Sequence, residues 1–332
     1  MQLIINTYGT YVHVKDDMFE VKVPVDDSAP RKQLIASQKI SAILLSKGAA
    51  ISSDAIILAM KNNIDIVVLE GDGFPVGRFW HSKLGSTTKI RKKQLEASLS
   101  NEGAKLTKAW IGKKIENQIE FLKRLKKHRE QLSDELDQVV GQLSALKEKV
   151  EKLEGKTTDD FANTARGLEG TSGRIYFGVL SSLLPERYRF NGRSFRPAAD
   201  PFNAFLNYAY GILYSRVEKA LVLAGIDPYV GFLHRDDYNM KSMVFDFIES
   251  YRIWADEVVF KLFSAKKVND AHTTPITHGY SLNAEGKALL VEHFFRFFDE
   301  DTIRHGGKNQ TRGNILLSEA HTVAQQLLNI QS

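Results

Sequence analysis

The chain of 332 residues contains no cysteine. That excludes disulfides, cysteine-zinc modules and thiol nucleophiles, and it is compatible with a reducing compartment. No apolar run approaches the roughly 20 residues needed to span a bilayer. The amino terminus also lacks a basic region ahead of an apolar one, so the expected location is the cytoplasm, away from any membrane. Nor is charge of one sign in large excess. A net charge of +5 is modest for a nucleic-acid binder, so the distribution of charge matters more than its sum. What is there is an ordinary soluble composition, 43% hydrophobic and 26% charged, long enough for two domains and a sizeable core.

Residues 1–82 carry mostly strand signals. Segments 3–6, 11–15 and 19–23 are rich in β-formers and separated by turn pairs, 40–45 and 64–69 are nearly continuous apolar runs, and 54–62 reads as a short helix between them. The glycine-rich stretch 71–77 is not a phosphate loop, because no helix signal follows it, and it reads as a hairpin turn. Residues 83–129 then hold fourteen Lys and Arg against four Asp and Glu. Such a run is either a solvated helix face or a phosphate-binding surface, and Lys92, Lys93 and Lys113 are its candidate contacts. Between Leu132 and Leu153 the apolar positions repeat at four and three residues, the seam of a coiled coil or of a helix packed within its own domain. The fold class that follows is α+β: a β-rich amino-terminal domain (1–82), then a mainly α-helical domain (83–332) made of basic and heptad helices (83–157) and a core (158–332).

Within that core, residues 241–263 read as one helix, on which Asp246 and Glu249 share a face. Two acids that close resist joint ionisation unless a metal, an Arg or Lys partner or a raised pKa relieves them. Arg252 is the simplest such partner, and a plain solvated face remains open. His234 lies upstream in a turn-rich stretch, and Glu169 stands in Arg166-Gly-Leu-Glu-Gly-Thr-Ser-Gly173 among small residues that leave room for a ligand. Carboxylates and an imidazole without thiolate suit Mg²⁺ or Mn²⁺. Residues 186–196 interleave Arg187, Arg193 and Arg196 with aromatics, which fits either a phosphate clamp or a loop whose rings reach the core. Asp200 reads as the N-cap of a helix to about residue 223, with Pro201 at its first position. Residues 264–281 look like a mobile loop whose His272 and His278 could ligate a metal but, six residues apart on a polar stretch, read rather as exposed. His293 reads as a packing histidine. Residues 304–312 form a basic glycine loop carrying Lys308 and Arg312, and 315–328 a last amphipathic helix.

These segments resemble one known family. Leu168-Glu-Gly170, Arg174-Ile-Tyr-Phe177, Arg193-Ser-Phe-Arg-Pro197, Asp200-Pro-Phe-Asn-Ala-Phe-Leu-Asn-Tyr208, Gly231-Phe-Leu-His234 and Ser242-Met-Val-Phe-Asp-Phe-Ile-Glu249 follow the order of the CRISPR-associated integrase of spacer acquisition, the number-one Cas protein. Lys113-Lys-Ile-Glu-Asn-Gln118 and Ile51-Ser-Ser-Asp-Ala-Ile56 add weaker matches. The resemblance implies Glu169, His234 and Glu249 as ligands of a divalent metal, with Asp246 as a further acid near it. It also implies a homodimer, a small ferredoxin-like Cas partner, and double-stranded DNA, prespacer and CRISPR repeat, joined by attack of a 3′-hydroxyl on a phosphodiester. Asp236 and Asp237 are rival carboxylates. A nuclease of branched DNA that does not integrate, and a non-catalytic nucleic-acid scaffold, are the alternatives.

Overall fold

The computed structural model describes all residues except 1, 27, 41, 71–74, 80–86, 128, 235–239 and 331–332. The rival acids Asp236 and Asp237 and most of the expected turn at 71–77 therefore lie outside the described residues. The chain divides into two compact units, Met1–Gly85 and Ser86–Ser332.

The first unit holds two four-stranded sheets. Strands β1 (Gln2–Ile5), β2 (Tyr11–Lys15), β3 (Met18–Val25), β4 (Ser28–Ala36), β5 (Ala42–Ser46) and β6 (Ala50–Ile51) precede helix α1 (Ser53–Lys61), and β7 (Asp65–Leu69) and β8 (Pro75–Phe79) follow it. One sheet has the order β1-β5-β7-β8 with only the last pair antiparallel, and the other the order β4-β3-β2-β6 with only the last pair parallel. The parallel strands β5 and β7 are the near-continuous apolar runs, as strands covered on both faces should be. Val12, Phe19, Ile43, Ile66, Ala55 and Ala59 lie fully enclosed in the core between sheets and helix. Strand β4 escapes a reading by alternation because it is an edge strand whose residues are nearly all exposed, Ile35 being the buried one. Its Pro30, Arg31 and Lys32 are the residue types that keep such edges from pairing further.

The second unit is mainly helical: α2 (Thr87–Ser98), α3 (Asn101–Lys126), α4 (Ser133–Glu151), α5 (Ala162–Ser182), α6 (Pro201–Leu223), α7 (Ser242–Ile248), α8 (Arg252–Ser264), α9 (Ala284–Phe295) and α10 (Arg312–Leu328). The heptad seam packs inside the unit. Leu136, Leu143, Leu146 and Val150 are buried against α3 and α5. Asp200 caps α6 by accepting from the amide of Asn203 at 2.8 Å, with Pro201 in the first turn.

Three expectations change. The segment 241–263 is not one helix: α7 and α8 are separated by a 3-10 turn at Glu249–Tyr251. The supposed loop 264–281 closes into a hairpin of β9 (Thr273–Ile276) and β10 (Gly279–Leu282). The basic glycine loop is likewise a hairpin of β11 (Thr302–His305) and β12 (Lys308–Thr311), turning at Gly306 and Gly307, both with positive φ. Paired glycines at a two-residue turn are the hairpin signal that was passed over. Among the described residues no helix is long and apolar enough to cross a membrane.

Candidate active site

The long helix α3 supplies the centre of the site. Its buried stripe runs Thr107, Ile111, Lys114, Gln118 and Phe121, the three-and-four spacing of a core face with a lysine set into it. The Lys114 ammonium meets a carboxylate oxygen of Glu169 from α5, and it lies 2.6 Å from Oε2 of Glu249 in the 3-10 turn. Both contacts are charge-assisted, one ammonium against two carboxylates. Arg252 holds the other oxygen: its Nε donates to Glu249 Oε1 at 2.7 Å, and its NH2 donates to the Tyr214 hydroxyl at 2.8 Å.

The 3-10 turn is fixed from α3 as well, because Asn117 donates to the Ser250 carbonyl at 2.8 Å. Tightening the helix there separates the work of two acids expected to act as a pair. Glu249 faces the cations, whereas Asp246 turns to the segment ahead of α7. Asp246 accepts from the amides of Leu233 and His234, each at 3.0 Å, and from that of Phe232, and its Oδ1 takes the Nδ1 proton of His234 at 2.7 Å. With Nδ1 bound as donor to a carboxylate, the neutral ring keeps the Nε2 lone pair open. Gly231 lets this segment lie against α7, since a Cβ there would stand 2.6 Å from both the His234 carbonyl oxygen and Ser242 Cβ. Arg166 secures the same segment by donating to the Leu233 carbonyl at 2.7 Å.

Electrostatics follow from these contacts. Burial works to raise the Glu249 pKa, but Arg252 and Lys114 outweigh it and bring the group to about 2. Burial also opposes the Lys114 ammonium, and Glu249 and Glu169 overcome it, so that lysine stays charged. For His234, burial disfavours the imidazolium. The Asp246 hydrogen bond and charge, aided by Glu249 and Glu169, raise its pKa nonetheless, which places both glutamates within electrostatic reach of the ring. Glu169 is the most accessible of the acids, its side chain 21% exposed. Beside it the exposed Gly167 and Gly170 leave the surface of α5 bare, with nothing within 4 Å of where a Cβ would stand.

Glu169 and Glu249 are thus brought together through Lys114, with His234 and Asp246 alongside. Among the described residues no three acids or histidines stand at ligand spacing around a common point. Sequence reasoning passed over Lys114, counting it within a charge run, although its place in the apolar stripe marked it. The candidate DNA contacts divide. Lys92, Lys113, Arg187, Arg196 and Lys308 are exposed and Lys93 is half-buried; Lys93 pairs with Glu96 and Lys113 with Glu116, both at 2.8 Å. Arg193 and Arg312 face inward. Arg193 donates to Asn203 and Asn207 and stacks over Phe177 and Tyr210, while Arg312 donates to the Phe297 carbonyl at 2.8 Å and lies over the Phe297 ring. His293 is half-buried, its Nδ1 against the Leu289 carbonyl at 2.9 Å.

The architecture has solved counterparts. A casposase bound to integration product matches with a TM-score of 0.82 at 20% identity, covering 100% of this chain and 91% of that one. A Cas6-RT-Cas1–Cas2 complex matches at 0.75 and 22% identity, covering 99% of this chain and 35% of that one. Those likenesses define the fold class, a β-rich unit ahead of a helical one. Residues 3–296 match the family described as CRISPR associated protein Cas1, and the chain belongs to that family. CRISPR-associated endonuclease Cas1 1 of Archaeoglobus fulgidus is 31% identical over 334 aligned residues, 97% of this chain and 95% of that protein.

Proposed function

We propose that this protein is a divalent-metal-dependent DNA integrase and endonuclease that inserts new spacers into a CRISPR array. The observation that carries the reading is the cluster of half-buried Glu169 with buried Lys114 and Glu249 beside His234, in a chain of the Cas1 family whose relatives are named endonucleases. Glu169, His234 and Glu249 would hold Mg²⁺ or Mn²⁺. The donor chemistry fits: two carboxylates and an imidazole, with a ring nitrogen left open by Asp246. A cation bound there supplies charge neutralisation at a phosphodiester.

The chain's own groups do the rest. Asp246 fixes the orientation and tautomer of His234, Arg252 anchors Glu249, and the bare glycine surface of α5 lets a DNA backbone approach Glu169. The substrates are double-stranded prespacer and repeat DNA, joined by attack of a 3′-hydroxyl. Joining both strands of a duplex takes two sites, so the protein works as a homodimer through its β-rich unit, together with the small ferredoxin-like Cas partner, in the cytoplasm. The test is a strand-transfer assay in Mn²⁺ with Glu169→Ala. Joined product should fall by about 10²–10³-fold while DNA binding persists, the scale on which removing one charge-stabilising group acts. Cleavage without joining by the wild type would mark a nuclease of branched DNA, and full activity in the variant would overturn the metal assignment.

A further inference from the structure

Counted as charges, the cluster is already neutral: Glu169 and Glu249 face Lys114 and Arg252. The two cations are held differently. Arg252 is fixed by a hydroxyl and two rings, over Tyr210 at 4.9 Å and Tyr214 at 5.5 Å. Lys114, by contrast, is held by Glu169 and Glu249, with no aromatic ring or hydroxyl against its ammonium among the described residues. An alkylammonium on a four-carbon stem can move off its partners, whereas a stacked guanidinium stays. Adding a dication with Lys114 in place would leave excess positive charge, only partly met by Asp246, in a pocket where Glu249 is 3% exposed, an arrangement that burial penalises heavily.

We propose that Lys114 is a positioning residue that keeps Glu169 and Glu249 assembled in the metal-free protein, is displaced when a divalent cation takes those carboxylates, and then turns its ammonium to the phosphodiester in the site. The inference rests on the metal assignment above. It makes loading of the site cooperative: DNA phosphate offers the displaced ammonium an anion, and so strengthens cation binding beyond direct contact.

The test uses full-length protein and reads Mn²⁺ affinity from the electron paramagnetic resonance signal of free Mn²⁺, with and without a DNA duplex. An opposite charge at this range shifts an ionic equilibrium by one to three powers of ten, so Lys114→Met and Lys114→Gln should bind Mn²⁺ at least about tenfold tighter than wild type without DNA. Lys114→Arg, which keeps the positive charge, should bind Mn²⁺ no tighter than wild type, and DNA should tighten Mn²⁺ binding more in wild type than in the neutral variants. Melting in chelator should show both neutral variants destabilised and Mn²⁺ restoring them, an effect that a merely structural lysine would not give. Neutral variants that bind Mn²⁺ no tighter, or that stay unfolded with Mn²⁺ present, overturn the displacement. Glu169→Gln separates the two readings: if it loses Mn²⁺ binding the metal assignment stands whatever Lys114 does, and if it binds as wild type both readings fall.

Discussion

Two acids seven residues apart, Glu249 and Asp256, are equally enclosed at 3% and 2% exposure, yet they sit in opposite electrostatic states. Glu249 has two cations against it and is brought down to about 2. Asp256 accepts a hydrogen bond from the neutral Tyr210 hydroxyl at 2.6 Å, and burial, only partly offset by that bond and by more distant Arg193, Arg252 and Lys114, pushes it up to about 6. Burial alone therefore does not decide charge here; the cation in contact does. The cluster around Glu249 is built to keep that acid ionised. The region around Asp256 is a buried hydrogen-bonded brace between α6 and α8.

The largest test of this contrast removes Glu249. Glu249→Ala leaves Lys114 and Arg252 without their shared anion, and breaking a buried ion pair from one side costs about 3–5 kcal/mol. Urea unfolding at neutral pH should show that loss, while Glu169→Ala, at the accessible edge, should lose no more than about 1 kcal/mol. Equal losses for the two variants would mean that the cluster is solvated and the contrast false.

The second test uses pH, where the two acids act with opposite sign. Glu249 has a folded pKa below its ordinary 4.5, so its stabilisation is present above that value and is lost as pH falls toward 2. Asp256 has a folded pKa above its ordinary 3.8, so its stabilisation is complete below that value and is lost as pH rises through 6. Each difference of about two pKa units corresponds to about 3 kcal/mol. Asp256→Asn, which still accepts from Tyr210, should therefore gain up to about 3 kcal/mol on wild type between pH 4 and pH 7, and keep the acid limb below pH 4.5. A constant difference across that range would place Asp256 in a less enclosed setting.

How much of this could be read beforehand depended on how local the signal was. The cap at Asp200 and the heptad of α4 are set by neighbours in sequence, and their elements formed where they were expected. Helix spacing and motif resemblance pointed to Glu169, His234, Asp246 and Glu249, and spacing to Arg252 as the partner that Glu249 has, but not to Lys114. Lys114 lies 55 residues from Glu169, and its charge hid it among surface lysines that share its composition but not its stripe. The break at Glu249 was equally hidden, since Asn117 holds that turn from a helix 133 residues away. The strands of the two hairpins at residues 273–282 and 302–311 are four residues long, too short for alternation to separate them from loop.

The smallest effects belong to the surface, and they sharpen the comparison by extending it to the basic residues. An exposed lysine that neutralises a phosphate releases about one counterion, so reversing Lys92 or Lys308 should lower the slope of log affinity against log salt by about 1 each, with little change in stability. Arg193 and Arg312 carry the same charge but, like Arg252, are committed to the interior. Arg193→Ala leaves Asn203 and Asn207 short of a donor and should cost about 1–3 kcal/mol of stability while the salt slope stays as in wild type. Titrating one duplex from low to high salt against all three variants separates cations that hold the protein together from cations that hold DNA. A slope change for Arg193→Ala as large as that for Lys92 would mean that its guanidinium leaves Asn207 for phosphate when DNA binds, and the boundary between the two groups would then have to be drawn from the complex rather than from the free protein.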